Sequence, residues 1–322
     1  MAEVPDVIAH SGPTLRFVIQ QGVLQTPPAG RLLPWLGPAI RGAVAAALKD
    51  RACQQPVHTR NIRWRYCTGC EYQTQCAYGL TFESDPPRQS SFSGRDQATR
   101  AIVLAPQVVP SHPTWDGRLG FELLLVGDAA LAQRQQVLAS LAEAGMLRGL
   151  GLEERPFELV DLAAPTVNEL HAADLPASGG QYAGVVDRVT VRLTSPLFLK
   201  VADPSGRRRS LEQPQFADLF RASLRTVGTL FALYAEPLEA DFAGLKQVAT
   251  RVECEIAAFA PFRQGRRSNR TGQHFELRGV VGFATFRNVP WSLIPWMHWG
   301  GRLRVGQHRV AGAGGWFLEL GY

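Results

Sequence analysis

Long apolar runs are missing from this 322-residue chain, so no segment is expected to span a bilayer, and the start has no signal-like pattern; the cytoplasm is the expected location. Charged residues make up only 19% of the chain against 45% hydrophobic ones, the balance of an ordinary globular protein that can bury real cores. No paired-carboxylate metal site, Ser elbow or Walker loop is present, which removes support for hydrolysis by those routes. The glycine run near the end does not follow the order of a dinucleotide fingerprint, and no helical pattern comes after it. Without an export signal, the five cysteines are not expected to form a disulfide framework, because the cytosol keeps thiols reduced.

What is present is unevenly distributed. Residues 1–184 hold 15 Lys and Arg against 17 Asp and Glu, a net of −2, while the remainder holds 19 against 11, a net of +8. The cationic half is rich in Arg, whose planar guanidinium suits phosphate contacts and stacking on bases.

The apolar periodicity gives a pattern that occurs twice. In the first half, Thr14–Val23 alternates as a strand and Trp35–Asp50 carries helical spacing at Leu36, Ile40, Val44 and Leu48. A Cys-bearing insert follows, then strands at Ala101–Val109 and Gly120–Val126. A helix is expected from an Asp128 N-cap to about Glu143, stopped at Gly145, with a strand at Arg155–Leu162. Residues 165–184 turn to Ala, Pro, Gly and polar residues and read as a linker. The second half repeats the order: strand Val186–Val201, helix Phe216–Tyr234, paired strands Gln247–Pro261 and Gln273–Thr285, a short helix near Pro290–Trp299 and a strand near Gly315–Leu320. Two βαββαβ units predict an α+β chain of two tandem ferredoxin-like domains, 1–163 with the insert at 51–80 and 185–322, joined by a linker at 164–184.

Four cysteines, Cys53, Cys67, Cys70 and Cys76, have the spacing of a closed thiolate site, with the Cys67–Cys70 pair as its knuckle. Zinc and an iron–sulfur cluster both fit four thiolates, and so does a set of reduced thiols that binds nothing. Four filled positions would make any such site structural. Cys254 lies in an apolar pattern and reads as core. A second cluster, Arg263, Arg266, Arg267, Arg270 and Arg278, crowds a loop between two expected strands, where it either reaches phosphates or is a solvated loop. Arg207, Arg208 and Arg209 form another basic run, equally a charged turn. Gly306, Gly312, Gly314 and Gly315 allow positive φ and close approach of backbone N–H groups to phosphate, with His308 among them. His58 precedes an Arg and aromatic run that includes Tyr66.

Leu33–Leu48, Cys67–Glu83, the stretch from Leu123 to Leu159 and, most specifically, Phe275–Leu320 resemble the CRISPR-associated repeat-RNA-processing endoribonucleases, the sixth Cas family of the RAMP superfamily, in a branch with a cysteine-rich insert. The last segment carries a Gly-x-x-Gly-Phe step, a Pro-x-x-x-x-Pro helix and a terminal glycine loop in the family's order. The resemblance implies a protein that binds CRISPR repeat RNA and cuts the precursor without a metal ion, the 2′-hydroxyl attacking the adjacent phosphate. By the same resemblance, His58 takes a proton-transfer role assisted by Tyr66. Arg41 in the first helix, the hairpin arginines and the glycine loop with His308 would then hold the RNA. Other CRISPR effector subunits are expected partners. The alternative is a non-catalytic subunit that stays on its guide RNA.

Overall fold

The computed structural model describes residues 12–27, 32–55, 67, 70–83, 99–109, 114–150, 156–180, 184–202, 205–267 and 273–321. The first unit runs β1 (Thr14–Gln25), α1 (Gly37–Ala52), a short α2 (Ala77–Phe82), β2 (Ile102–Pro106), β3 (Arg118–Val126), α3 (Asp128–Leu131), α4 (Arg134–Leu147) and β4 (Glu158–Leu162). Its antiparallel sheet has the order β2-β3-β1-β4. After β5 (Thr166–His171) the second unit begins: β6 (Val185–Leu193), a small hairpin of β7 (Lys200–Ala202) and β8 (Arg208–Ser210), α5 (Phe216–Tyr234), α6 (Phe242–Ala249), β9 (Glu253–Arg267), β10 (His274–Pro290), α7 (Ile294–Leu303) and β11 (Trp316–Gly321). Its sheet has the order β11-β6-β10-β9. Taking the four strands of each unit in sequence, both sheets read 4-1-3-2, so the chain is two tandem ferredoxin-like folds.

The units share a core. The strand β1 is apolar on both faces: Val18 and Leu24 pack toward α1 and α4, while Leu15, Phe17 and Ile19 join a cluster built from α5, α7 and the second sheet. Phe17 meets Trp299 of α7 edge-on, ring centroids 5.7 Å apart. Where Leu15–Ile19 lie, the first sheet is therefore covered on both sides, while β4 stays exposed. On α5, Phe216, Leu219, Phe220, Val227 and Phe231 are buried on the face that their spacing predicts. Each such side chain contributes roughly 2 kcal/mol of hydrophobic burial.

Several expectations change. The expected linker contains β5, which pairs with β1 from Thr14↔His171 to Ile19↔Thr166, beside the stretch of β1 that β4 occupies. Asp128 is not the N-cap: Gly127 holds that position at φ 82°, and the Asp128 carboxylate instead accepts a hydrogen bond from Arg16 Nη1 at 2.7 Å. The single helix expected after it is split, and Gly145 does not stop the second piece. Gly145 is there because the Phe157 carbonyl packs where a Cβ would stand. The run Val186–Val201 is interrupted after Leu193, where Thr194 N donates to the Gly315 carbonyl and Pro196 has no N–H for a ladder. The run from Gln247 begins as the end of α6, capped by the Asp241 side chain accepting from Gly244 N, and turns to strand only at Glu253. No described helix is long and apolar enough to cross a membrane.

Candidate functional site

Three segments far apart in sequence meet where α1, the long β9–β10 hairpin and the loop after α7 come together. Trp35, just before α1, is wholly buried; its ring lies 5.5 Å from Phe198 and 6.2 Å from Phe262, centroid to centroid. The Gln264 side chain clamps it from β9, Nε2 donating to the Trp35 carbonyl at 2.9 Å and Oε1 accepting from Trp35 N at 3.2 Å. Leu277, Ala311 and Ala313 complete this small separate core. The entry of α1 is thereby tied to the hairpin.

Arg41 emerges on α1, its guanidinium carbon 5.5 Å from the Phe82 ring centroid. Arg266 on β9 lies 5.6 Å from the Phe275 ring centroid, directly across the ladder. Burial, then the neighbouring Arg41 charge, lowers the pKa of Arg266. His308 sits edge-on to Phe198 at 5.1 Å in a left-handed conformation, φ 60°. Its pKa is pushed down to about 4, first by burial and then by Arg266, Lys200 and Arg41. At neutral pH His308 is therefore an uncharged imidazole within a field of cations. Among the described residues, neither Arg41 nor Arg266 is in a salt bridge. Such a cluster attracts an anion with several negative charges.

The other expected anion-binding residues separate. Arg263 and Arg278 face each other across the hairpin, and Arg278 is paired with Glu276. Arg267 stands opposite His274 in the ladder, while Arg270 lies outside the described residues. Arg208 and Arg209 are exposed on β8. The glycine loop turns inward. Gly312, Gly314 and Gly315 are buried, and their amides are already donated to the Arg309 carbonyl, the Pro196 carbonyl and Ser195 Oγ at 2.7, 3.0 and 3.0 Å. Gly312, at φ 85°, lies against Ala105 of β2. These glycines let the two units approach rather than presenting N–H groups to a phosphate; only Gly306, at φ 79°, is exposed.

The same seam contains two arginines that the sequence did not single out, Arg309 buried and Arg304 largely so. Arg304 donates to the Gly312 carbonyl at 2.8 Å and reaches Glu122 of β3 at 3.4 Å. Arg309 donates to the Leu303, Arg304 and Arg100 carbonyls at 2.7, 3.1 and 2.6 Å, and burial pushes its pKa down to about 10. Both tie the second unit to the first. Trp35, Phe198, Lys200 and Gln264 were also missed; an apolar ring or a lone amide carries no local signal of a contact more than a hundred residues away.

His58 and Tyr66 lie outside the described residues. Of the cysteines, Cys53 follows α1, Cys70 N donates to the Cys67 carbonyl at 2.8 Å in a turn, and buried Cys76 immediately precedes α2. Gln55 Nε2 donates to Cys70 Sγ at 3.3 Å. Burial pushes the Cys67 thiol up to about 12, with Glu83, Cys76 and Cys70 adding to the rise and Lys49 opposing it. Among the described residues no group of three or more His, Cys, Asp or Glu side chains is placed to hold a metal ion. Cys254, read as core, is exposed at the bulge between β9 and β10.

Fold and site together define an α+β protein of two ferredoxin-like units with a cationic site at their junction. Residues 191–316 match the model of the CRISPR-associated endoribonuclease Cas6, and residues 15–180 match a model described as an N-terminal domain. Over residues 191–316 the chain thus carries the domain of the CRISPR-associated endoribonuclease Cas6 family. Among solved structures it is similar to a Cas6 product complex at 17% identity and TM-score 0.54, covering 95% of this chain and 100% of that one. It is also similar to Thermus thermophilus Cas6 at 14% identity and TM-score 0.52, covering 96% and 100%. At these identities the likeness speaks for the fold. No curated protein matches the chain by sequence.

Proposed function

We propose that the chain binds CRISPR repeat RNA at the junction of Arg41, Arg266 and His308 and cuts the precursor RNA by attack of a 2′-hydroxyl on the adjacent phosphate. The observation that carries this reading is the convergence of cations from α1 and the β9–β10 hairpin on a half-buried, uncharged His308 beside the Phe198 ring. Strand cleavage of this kind needs a base for the 2′-hydroxyl, an acid for the departing 5′-oxygen and cations for the charge that builds on phosphorus. Arg41 and Arg266 suit the last role, and no metal ion is required for it. His58 acts as the base and Tyr66 assists.

Incubation with the cognate repeat RNA in EDTA tests this directly. The expected outcome is persistent cutting with 2′,3′-cyclic phosphate ends, lost in His58→Ala while affinity is retained. Strict dependence on Mg²⁺ overturns the metal-free mechanism. Tight binding without cutting by the wild-type protein makes the chain a non-catalytic guide-RNA subunit, attached to other CRISPR effector proteins. A structural zinc or iron–sulfur cluster at Cys53, Cys67, Cys70 and Cys76 rests on their spacing alone, so no step is routed through it. Metal analysis and visible absorption of anaerobically purified protein decide it, and finding neither removes it.

A further inference from the structure

The cysteine-bearing segment ends in α2, and α2 reaches the cationic junction. It lies against α1 with two rings. Tyr78 and Phe82, four residues apart and so on one face of the helix, stack with ring centroids 5.7 Å apart and planes inclined by 18°. The cations of α1 lie over those rings: Arg41 over Phe82 at 5.5 Å and Lys49 over Tyr78 at 5.3 Å, each to the ring centroid. Phe82 is 1% exposed, so its ring is fixed in the core of the first unit. A helix of six residues does not stand alone, and α2 is built as one piece with the turn before it. The Cys76 N–H donates to the Tyr72 carbonyl at 2.9 Å, and Gln73 Nε2 donates to the Glu83 carbonyl at 2.7 Å, closing the far end of α2. A Cβ at Gly79 would stand 2.2 Å from the Gln73 carbonyl oxygen, so the turn lies directly on the helix.

Arg41 needs such a support. Its charge is felt by Arg266, a like charge, and by His308. Repulsion and rotamer entropy both draw a guanidinium on a flexible stem out into water. Among the described residues no carboxylate pairs with Arg41 to oppose this. The electron-rich face of a buried ring does oppose it, by attracting the cation where water screens little. We infer that Phe82 is a positioning residue for the RNA site: its ring holds the Arg41 guanidinium at the junction and acts on repeat RNA only through Arg41. The inference rests on the reading of Arg41 as an RNA contact. It gives the folded end of the cysteine-bearing segment a part in binding that requires no metal ion there.

A double-mutant cycle on the full chain tests it, read by affinity for the cognate repeat RNA and, without RNA, by urea midpoints. Phe82→Leu keeps an apolar side chain and removes the ring. It should weaken RNA binding about fivefold and flatten its salt dependence, as Arg41→Ala does. In the Arg41→Ala background the same change should cost less than about twofold. Phe82→Tyr keeps the ring face and should bind within about twofold of wild type. Phe157 is equally buried in the same core but packs near the other end of α1, where Arg148 meets Asp50. Phe157→Leu should therefore lower the urea midpoint and leave RNA affinity within about twofold. Equal losses of affinity from Phe82→Leu with and without Arg41 overturn the inference, because they make Phe82 a core residue only. So do additive urea midpoints, or wild-type affinity in Phe82→Leu where Arg41→Ala weakens binding. If Arg41→Ala itself leaves repeat-RNA affinity unchanged, the junction reading fails instead, and the urea cycle alone decides whether Phe82 holds Arg41.

Discussion

The two sheets have the same strand order but opposite surroundings. Along β2, β3 and the first half of β1 the first is packed on both faces, by α1 and α4 on one side and by α5 and α7 on the other; the second is packed on one and open on the other. The cause is written in β1, which is apolar on both sides, whereas β6 alternates Val189 and Val191 inward with Arg188, Thr190 and Arg192 outward. Identical topology thus supports two jobs: the first unit is scaffold around its sheet, and the second has surface to spare.

The sharpest way to break this comparison is to disturb the seam and the open face in parallel. A Cβ at Gly312 would run into the Ala105 backbone, and φ 85° strains any L side chain. Gly312→Val should therefore cost about 3 kcal/mol or more of stability. Phe317→Ala on the open face should cost far less, since its ring is half in solvent. Urea midpoints measure both, and similar losses would erase the distinction between covered and open regions.

A smaller effect separates the junction from the rest of the hairpin. Arg266→Ala should lower the salt dependence of repeat-RNA binding by about one unit of log–log slope. Arg278→Ala should change it less, because Glu276 already neutralises Arg278. Equal slopes in the two variants would mean that the junction does not select the phosphates.

The least effect concerns His308. Its pKa lies below the ordinary value of 6.5, at about 4, so an unfolded chain takes up its proton first as pH falls. The stability contributed by the neutral imidazole is complete above pH 6.5 and is lost progressively as pH falls toward 4. Asn tolerates the left-handed backbone without this titration. Melting temperatures of the wild type and His308→Asn should therefore converge on going from pH 7 to pH 4.5, and parallel curves would show that His308 is not buried by this contact.

Much of the fold was legible because it rests on local periodicity. The amphipathic α5 and the alternation in β6 and β10 follow from side-chain spacing within one element. The paired arginine strands were legible too, as a hairpin, but their partner was not. The inward turn of the glycine loop depends on acceptors at Pro196 and Ser195 and on Ala105 in the other unit, all distant in sequence. The short β5 was hidden within a polar, Pro-containing stretch, since an edge strand needs only backbone N–H and C=O groups from β1.

By itself the sequence determined that there are two βαββαβ units, that the second carries the excess positive charge and that the arginines lie near a strand hairpin, because composition and period are properties of consecutive residues. Only the tertiary structure decided which cations meet and which are neutralised. Arg41 and Arg266 come together, Arg278 is paired, and Arg304 and Arg309 are ties between units. Charge acts through space and is altered by burial, so an arginine's part is set by what the fold puts next to it.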